Sequence, residues 1–267
     1  MPTVTSKDGT QIAYEVVGSG PPLILVDGAM CYRDSGPMRP MAEALKDTYT
    51  VYLYDRRGRG ESGDTKPYAA AREVEDLLAL IDLAGGSVYL YGASSGGAIA
   101  LETANANPEK VRKLMIYEMP IIVDDSRRPI DPAYQQSIAA DTAAGRNGAA
   151  VKKFMRSVGM PGFFLLIMPL MMGKVWKKLA AIAPTLNYDF AFVGQYQQGK
   201  PLPAGRWQNV KAPVLVGDGG KSPQWMRNGQ AALARNLGAE YRTLEGQTHF
   251  VKPEPQAPVI KDFLGAS

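Results

Sequence analysis

Short apolar runs and amphipathic segments alternate along much of the chain. Apolar runs at residues 23–26, 50–54, 88–91 and 111–117 have the length and composition of buried strands. Segments with helical spacing lie between them, at residues 40–46, 74–83 and 96–106. Residues 4–17 alternate between apolar and polar around Asp8 and Gly9, as expected of a β-hairpin. This order predicts a mostly parallel sheet with helices on both faces.

The alternation stops between residues 121 and 210, which have helical and loop-rich patterns. It resumes with a strand at 213–216, a helix at 225–236 and a strand at 240–244. We therefore predict an α/β fold in which residues 1–120 and 211–267 form one core. Residues 121–210 are predicted to form a helical lid inserted above the sheet. A chain of 267 residues is long enough for one such domain with an inserted subdomain.

The predicted lid is rich in methionine and aromatic residues between positions 154 and 176. A stripe of this kind more often packs in a core than binds a ligand. A small lid has little core of its own, so part of this surface is expected to roof a hydrophobic substrate pocket. The residues predicted to line it are Phe154, Met155, Met160 and Trp176.

The net charge of +4 and the pI of about 9.0 raise the question of a nucleic-acid partner. The basic residues are scattered, and short groups such as Lys174, Lys177 and Lys178 are interpreted as solvated faces, so we expect no nucleic-acid binding. The longest apolar run, residues 163–172, is too short to span a bilayer and contains Pro169, so no membrane partner is expected.

The single cysteine, Cys31, excludes an intrachain disulfide, and residues 1–6 lack the pattern of a signal peptide. These features predict a soluble cytoplasmic protein, and they leave the oligomeric state open. With one histidine, one cysteine and no carboxylates at ligand spacing, we expect neither a metal site nor a cofactor.

A glycine-flanked serine stands at the junction of a predicted strand and a predicted helix. Ser94 lies in the pattern Gly-x-Ser-x-Gly at residues 92–96, where glycines permit a sharp turn that exposes the serine oxygen. Such a serine needs a base to accept its proton, and His249 is the only histidine of the chain. A glycine-rich turn can also bind phosphate, but the turn at Ser94 matches neither of the usual phosphate-binding glycine motifs.

With these motifs the chain resembles the α/β-hydrolase superfamily over nearly its whole length. The resemblance rests on residues 25–28, 55–62, 92–97 and 246–250. Within the superfamily the chain is most similar to the zearalenone-lactonase type of serine hydrolase. That type shares the Asp-Gly at 27–28, the Ser-Ser-Gly at 94–96 and the Glu-x-Pro at 118–120. The lid does not follow that type, so the resemblance does not transfer the substrate.

Two carboxylates compete for the role of the acid that orients His249. Most members of the superfamily place it after the seventh strand, where this chain has Asp218 several residues early and Ser222 near the expected place. A neutral hydroxyl cannot stabilise an imidazolium. Glu118 directly follows the predicted strand 111–117, which comes after the helix 96–106. The zearalenone-lactonase type and haloalkane dehalogenases are similar in placing an acid there. We predict Glu118, with Asp218 as the alternative.

The oxyanion hole is predicted to combine the N–H of Ser95 with that of Gly28 or Ala29. Asp27 stands where the superfamily usually has histidine, and we interpret it as a carboxylate that braces its loop by accepting backbone N–H bonds. Loop bracing, rather than substrate binding, is also the role expected of three arginines in the glycine-rich turn after the strand 50–54. These are Arg56, Arg57 and Arg59. Cys31 is expected to be a small buried side chain.

The resulting hypothesis is a serine hydrolase that cleaves an ester or lactone of a hydrophobic small molecule. Two alternatives remain open on the same fold. One is a non-hydrolytic enzyme that performs acyl transfer, cyclisation or perhydrolysis. The other is a receptor-like module that binds a small molecule without turnover.

Overall fold

The computed structural model describes residues 1–265 of the chain and contains one eight-stranded sheet in that part. The strand order is β1-β2-β4-β3-β5-β6-β7-β8, in which only the β1–β2 and β2–β4 pairs are antiparallel. The strands are β1 Thr3–Thr5, β2 Gln11–Val17, β3 Pro22–Val26, β4 Thr50–Tyr54, β5 Val88–Ala93, β6 Val111–Tyr117, β7 Val214–Gly219 and β8 Glu240–Leu244. The predicted fold class is therefore confirmed.

Helices cover both faces of the sheet, because side chains of each buried strand alternate between two cores. In β3, Ile24 and Val26 face one core cluster while Leu23 and Leu25 face the other. The helices are α1 Met38–Leu45, α2 Ala70–Leu83, α3 Ser95–Ala106, α4 Pro132–Ala143, α5 Asn147–Ser157, α6 Gly162–Met172, α7 Lys174–Ile182, α8 Leu186–Val193, α9 Gln224–Leu237 and α10 Pro253–Leu264.

Helices α4 to α8 lie between β6 and β7, within the segment predicted to be a lid. Both ends of this segment pack into the main core rather than above it. Ile121, Phe192 and Trp207 belong to the same buried cluster as Leu90 of β5. The part of the insertion that stands apart from the sheet is therefore shorter than residues 121–210.

Helix α10 has no counterpart in the sequence prediction. Three prolines at 253, 255 and 258 obscure its periodicity, although the first of them stands in the opening turn, where a missing N–H costs nothing. Ile260 and Leu264 are fully buried against α1 and the adjoining face of the sheet. This packing positions the loop that carries His249, immediately before α10.

Candidate active site

Ser94 occupies a sharp turn between β5 and α3. Its backbone has φ 56° and ψ −130°, a strained conformation for a residue with a side chain. The flanking glycines are required by close packing: a Cβ at Gly96 would lie 2.2 Å from the carbonyl oxygen of Val26, and one at Gly92 would lie 2.7 Å from that of Gly96. The glycine pattern read from the sequence thus corresponds to a turn pressed against the end of β3.

Glu118 and His249 meet at the carboxyl end of the sheet. Oε2 of Glu118 lies 2.9 Å from Nδ1 of His249, and its other oxygen accepts a 2.7 Å hydrogen bond from the N–H of Gly219. Glu118 is fully buried, whereas the side chain of His249 is 40% exposed. The imidazole therefore has one nitrogen fixed by a buried carboxyl group.

Backbone strain within residues 1–265 is concentrated at this site. The described non-glycine residues with positive φ are Met30, Ser94 and Glu118, at 61°, 56° and 49°. Met30 follows the predicted oxyanion loop, and the other two carry predicted catalytic side chains. Strain of this kind persists only where the surrounding structure holds it, which is typical of functional sites.

Asp218, the alternative acid, has other partners. Its Oδ2 accepts a 2.5 Å hydrogen bond from Oη of Tyr241 and lies 3.4 Å from Nε of Arg227. The carboxyl is fully buried and makes no hydrogen bond with His249 within residues 1–265. Of the two candidates, only Glu118 contacts the imidazole.

Two of the three predicted oxyanion donors, Gly28 and Ser95, lie next to Ser94. A Cβ at Gly28 would stand 3.0 Å from Cβ and 3.5 Å from Oγ of Ser94, which places the backbone of Gly28 directly against the predicted nucleophile. In the described part of the chain, no protein acceptor takes a hydrogen bond from the N–H of Gly28, Ala29 or Ser95. These donors are available to a bound oxygen.

Two buried arginines hold the loop after β3. Nη1 of Arg59 donates to the carbonyl oxygens of Gly28 at 2.6 Å and Cys31 at 3.2 Å, and Nη1 of Arg56 donates to that of Asp27 at 3.3 Å. Because carbonyls take these bonds, the N–H groups of the loop stay free. The bracing role predicted for the arginines is confirmed for this pair.

Arg57 braces a different region. It pairs with Asp76 of α2 at 2.6 Å and with Asp8 of the N-terminal hairpin at 2.9 Å. The guanidinium also holds the pKa of the Asp8 carboxyl below its usual range. Arg57 therefore joins the hairpin to α2.

The interpretation of Asp27 as a brace is wrong. Its buried carboxyl makes no hydrogen bond within residues 1–265, and Oδ1 has no partner, because the arginines already hold the loop through its carbonyls. Burial raises the pKa of Asp27 to about 7, with Arg59 and Arg56 opposing the shift. Burial also raises the pKa of the Cys31 thiol to about 12, so Cys31 is not a thiolate nucleophile.

Asp189 of α8 is a site residue that the sequence analysis missed. Its carboxylate lies 2.7 Å from Nη1 of Arg56 and 2.8 Å from Nη2 of Arg59, and it accepts a 2.7 Å hydrogen bond from Oγ of Ser95. Burial raises the pKa of Asp189, but the two guanidiniums and the Ser95 hydroxyl outweigh it and hold this pKa below the ordinary value. No motif marks a lone aspartate 95 residues beyond the elbow.

The predicted pocket residues do not form one group. Phe154, Met155 and Trp176 are partly buried against a cluster that contains Met30 and Tyr32, which follow the predicted oxyanion loop. Met160 lies outside that cluster, in the turn after α5. Most side chains of α6 point into solvent, so this part of the methionine and aromatic stripe does not face the site.

The second imidazole nitrogen has no protein partner: within residues 1–265, Nε2 of His249 makes no hydrogen bond with Ser94. Contacts of this kind are often long before a substrate binds.

In the described part of the chain, no helix combines the length and the apolarity needed to cross a bilayer.

Solved structures with similar folds cover nearly the whole chain. An alpha/beta hydrolase from Sphaerobacter thermophilus is 44% identical, with a TM-score of 0.88, over 99% of this chain and 100% of that one. The enol-lactonase from Burkholderia xenovorans is 19% identical, with a TM-score of 0.69, over 98% of each chain, a similarity that shows the fold alone.

Curated relatives match over shorter stretches. A provisionally named carbamate hydrolase, RutD from Azorhizobium caulinodans, is 38% identical over 105 residues, which is 39% of each chain. The match thus spans well under half the length of that relative. The similarity to zearalenone lactonases stays a prediction.

A family model provides the broader assignment. The model described as the alpha/beta hydrolase family matches residues 18–259, which include Ser94, Glu118 and His249. The match starts before β3 and ends within α10, and so covers six of the eight strands of the sheet, β3 to β8. The chain belongs to the alpha/beta hydrolase family.

Proposed function

We propose that the chain is a serine hydrolase that cleaves an ester or lactone bond of a hydrophobic small molecule through an acyl-enzyme. The observation that carries the proposal is the 2.9 Å contact between Oε2 of Glu118 and Nδ1 of His249, beside the strained Ser94. An ionised carboxylate can only accept a hydrogen bond, so this contact favours the tautomer with hydrogen on Nδ1. Nε2 is then free to act as a base.

The reaction starts when Oγ of Ser94 attacks the substrate carbonyl and Nε2 of His249 takes its proton. Glu118 stabilises the imidazolium that results. The carbonyl oxygen becomes an oxyanion, which the N–H of Ser95 and that of Gly28 or Ala29 stabilise; one such donor contributes about 3 kcal/mol. Collapse of the intermediate breaks the bond to the leaving oxygen, which receives the proton from His249.

Water then hydrolyses the acyl-enzyme by the same route. His249 takes a proton from water, the hydroxyl attacks the acyl carbon, and Ser94 leaves with the proton that His249 returns. The products are an acid and an alcohol, joined in one molecule when the substrate is a lactone. No metal or cofactor is needed for either step.

Two features support an apolar substrate. Phe154, Met155 and Trp176 of the lid pack against the cluster that contains Met30 and Tyr32, and all three are apolar or aromatic. The nearest arginines, Arg56 and Arg59, are buried and already paired with Asp189, so they are not available for a substrate carboxylate. The carbamate named for the Azorhizobium relative makes a carbamate ester a useful additional substrate.

The test is a panel of p-nitrophenyl esters of increasing acyl length, with a lactone and a carbamate ester, measured alongside labelling by a fluorophosphonate. We expect turnover that rises with acyl length, and both turnover and labelling should be lost in Ser94→Ala. His249→Ala should also abolish turnover, because no other histidine can replace it. Most of the activity surviving in His249→Ala would refute the proposal. Labelling without turnover of any ester would favour the receptor-like alternative.

A further inference from the structure

Helix α6 presents most of its side chains to solvent although nearly all of them are apolar. Phe163, Leu166, Leu170 and Met171 are 68%, 73%, 88% and 73% exposed, and Leu165 is the buried residue of the helix. Single exposed apolar residues are ordinary, but a contiguous set marks an interaction surface. We call this surface the lid patch; it consists of Phe163, Phe164, Leu166, Leu170, Met171 and Val175.

Positive charge surrounds the lid patch. Residues 142–188 contain seven lysines and arginines and no aspartate or glutamate, which leaves the rest of the chain with a net charge of −3. Within residues 1–265, no carboxylate forms a salt bridge with the five cations in this segment that flank the patch. These five are Lys152, Arg156, Lys174, Lys177 and Lys178.

These cations lie on the two helices that pack against α6, which are α5 and α7. Nη2 of Arg156 would lie 3.6 Å from a Cβ at Gly162, the first residue of the helix. Nζ of Lys152 lies 5.9 Å from the ring centroid of Trp176 on α7, the helix that carries the three exposed lysines. A surface cavity of about 360 Å³ beside them is lined by Tyr134, Lys152, Lys153, Arg156 and Ser157.

We propose that the lid patch docks on an anionic lipid surface. An apolar helix flanked by lysine and arginine lies in the plane of such a surface, with its apolar side chains in the acyl boundary and its cations among the headgroups. Each cation near an anionic leaflet strengthens the binding. Helix α6 has eleven residues, which suffices for lying on a membrane but not for crossing it.

A second copy of the chain is a poorer occupant. A twofold dimer through the lid patch would bring the same cationic segment of both copies together, and like charges across an interface oppose binding. An anionic lipid surface instead places its acyl chains against the apolar side chains and its negative headgroups against the cations. The sequence-based expectation of no membrane partner rests on the length needed to span a bilayer and on interpreting the lysines as solvated.

The proposal is tested by sedimenting the purified full chain with two kinds of vesicle. One contains phosphatidylcholine alone, and the other also contains phosphatidylserine. We expect the wild type to bind the second kind and to be released by salt. Phe163→Ser/Leu170→Ser and Lys174→Glu/Lys177→Glu/Lys178→Glu should each weaken binding by about tenfold or more. These side chains are exposed, so circular dichroism should show an intact fold.

Matched controls separate the lid patch from general hydrophobicity and net charge. Leu83→Ser removes an exposed apolar side chain on α2, and Lys200→Glu/Lys211→Glu/Lys221→Glu makes the same charge change elsewhere. Both controls should bind like the wild type.

The proposal is overturned if the wild type binds neither vesicle, if it binds both equally, or if the two lysine triples weaken binding equally. Light scattering that shows a dimer, converted to monomer by Phe163→Ser/Leu170→Ser, would assign the lid patch to a second copy. Because no readout uses turnover, the result does not depend on the proposed function.

Discussion

Oγ of Ser95 donates a 2.7 Å hydrogen bond to Oδ1 of Asp189, which joins the residue after the predicted nucleophile to the last helix of the insertion. The same carboxylate binds Arg56 and Arg59, and both arginines donate to carbonyls of the oxyanion loop. One buried charge cluster therefore fixes the elbow, the oxyanion loop and α8 relative to each other.

Removing the charge of Asp189 should destabilise this cluster. Asp189→Asn leaves two buried guanidiniums without their shared carboxylate, and breaking a buried pair costs about 3–5 kcal/mol. We expect a loss of this order in the free energy of unfolding, measured by urea denaturation, together with a lower kcat. Asp141→Asn is the control, because its partners Arg146 and Lys153 are largely exposed, and its loss should be smaller. Equal losses in the two variants would contradict the central position given to Asp189.

The two candidate acids should differ sharply in kinetics. Glu118→Gln keeps the shape of the side chain but cannot stabilise an imidazolium, so kcat should fall by about 10³–10⁴-fold. Asp218→Asn should change kcat little, because its carboxyl contacts Tyr241 and Arg227 rather than His249. Steady-state kinetics on the best ester of the panel provide the measurement.

Thermal unfolding of both variants is the control, because both carboxyls are fully buried. Stability losses can then be separated from catalytic ones. A nearly inactive Asp218→Asn beside an active Glu118→Gln would reverse the assignment and remove the main link to the zearalenone-lactonase type.

A single methyl group at position 28 should impair catalysis. In Gly28→Ala the new Cβ would stand 3.0 Å from Cβ of Ser94 and 3.2 Å from the carbonyl oxygen of Ala93, so the loop must move. Outright loss of one oxyanion donor lowers kcat by about 10²–10³-fold. We expect the displacement of the donor in Gly28→Ala to cause a loss that approaches this range. Gly63→Ala, where the nearest atom is 3.4 Å away, should behave like the wild type. Unchanged kcat in Gly28→Ala would place the second donor elsewhere.

Asp27 should make stability depend on pH near neutrality. Its pKa in the folded chain is about 7, whereas an unfolded aspartate titrates at about 3.9. Between these values the folded state holds a proton that the unfolded state has lost, so the free energy of unfolding falls as pH rises from about 4 to 7. Asp27→Asn removes this titration and should gain stability relative to the wild type, on the order of 2 kcal/mol between pH 5 and 7.

Urea denaturation at pH 5 and pH 8 measures this difference. The exposed Asp47→Asn is the matched control and should leave the pH dependence as it is in the wild type. If Asp27→Asn and the wild type lose stability in parallel over this range, Asp27 is ionised in the folded chain throughout.

The sequence predicted the parts of the fold that depend on local pattern. The alternation of strands and helices, the sharp turn at Ser94 and the prediction of Glu118 follow from apolar runs, a glycine pattern and a family resemblance. These signals are local because a buried strand and a sharp turn each impose a composition on a few consecutive residues.

The remaining features depend on contacts between distant segments. Asp189 binds Arg56, which lies 133 residues earlier in the chain, and no pattern near position 189 predicts that contact. The sequence also did not predict the exposure of α6, because the apolar pattern of a helix does not show whether its side chains face a core or solvent. The prolines of α10 masked a helix that only packing reveals.

A chain with one imidazole carries its own spectroscopic label. Every histidine resonance in a magnetic resonance spectrum must come from His249, so the proton shared with Glu118 can be followed without isotope editing or assignment by mutagenesis. Binding of an inhibitor at Ser94 or the change Glu118→Gln would then be observed directly at Nδ1, in the intact protein and before any substrate is known.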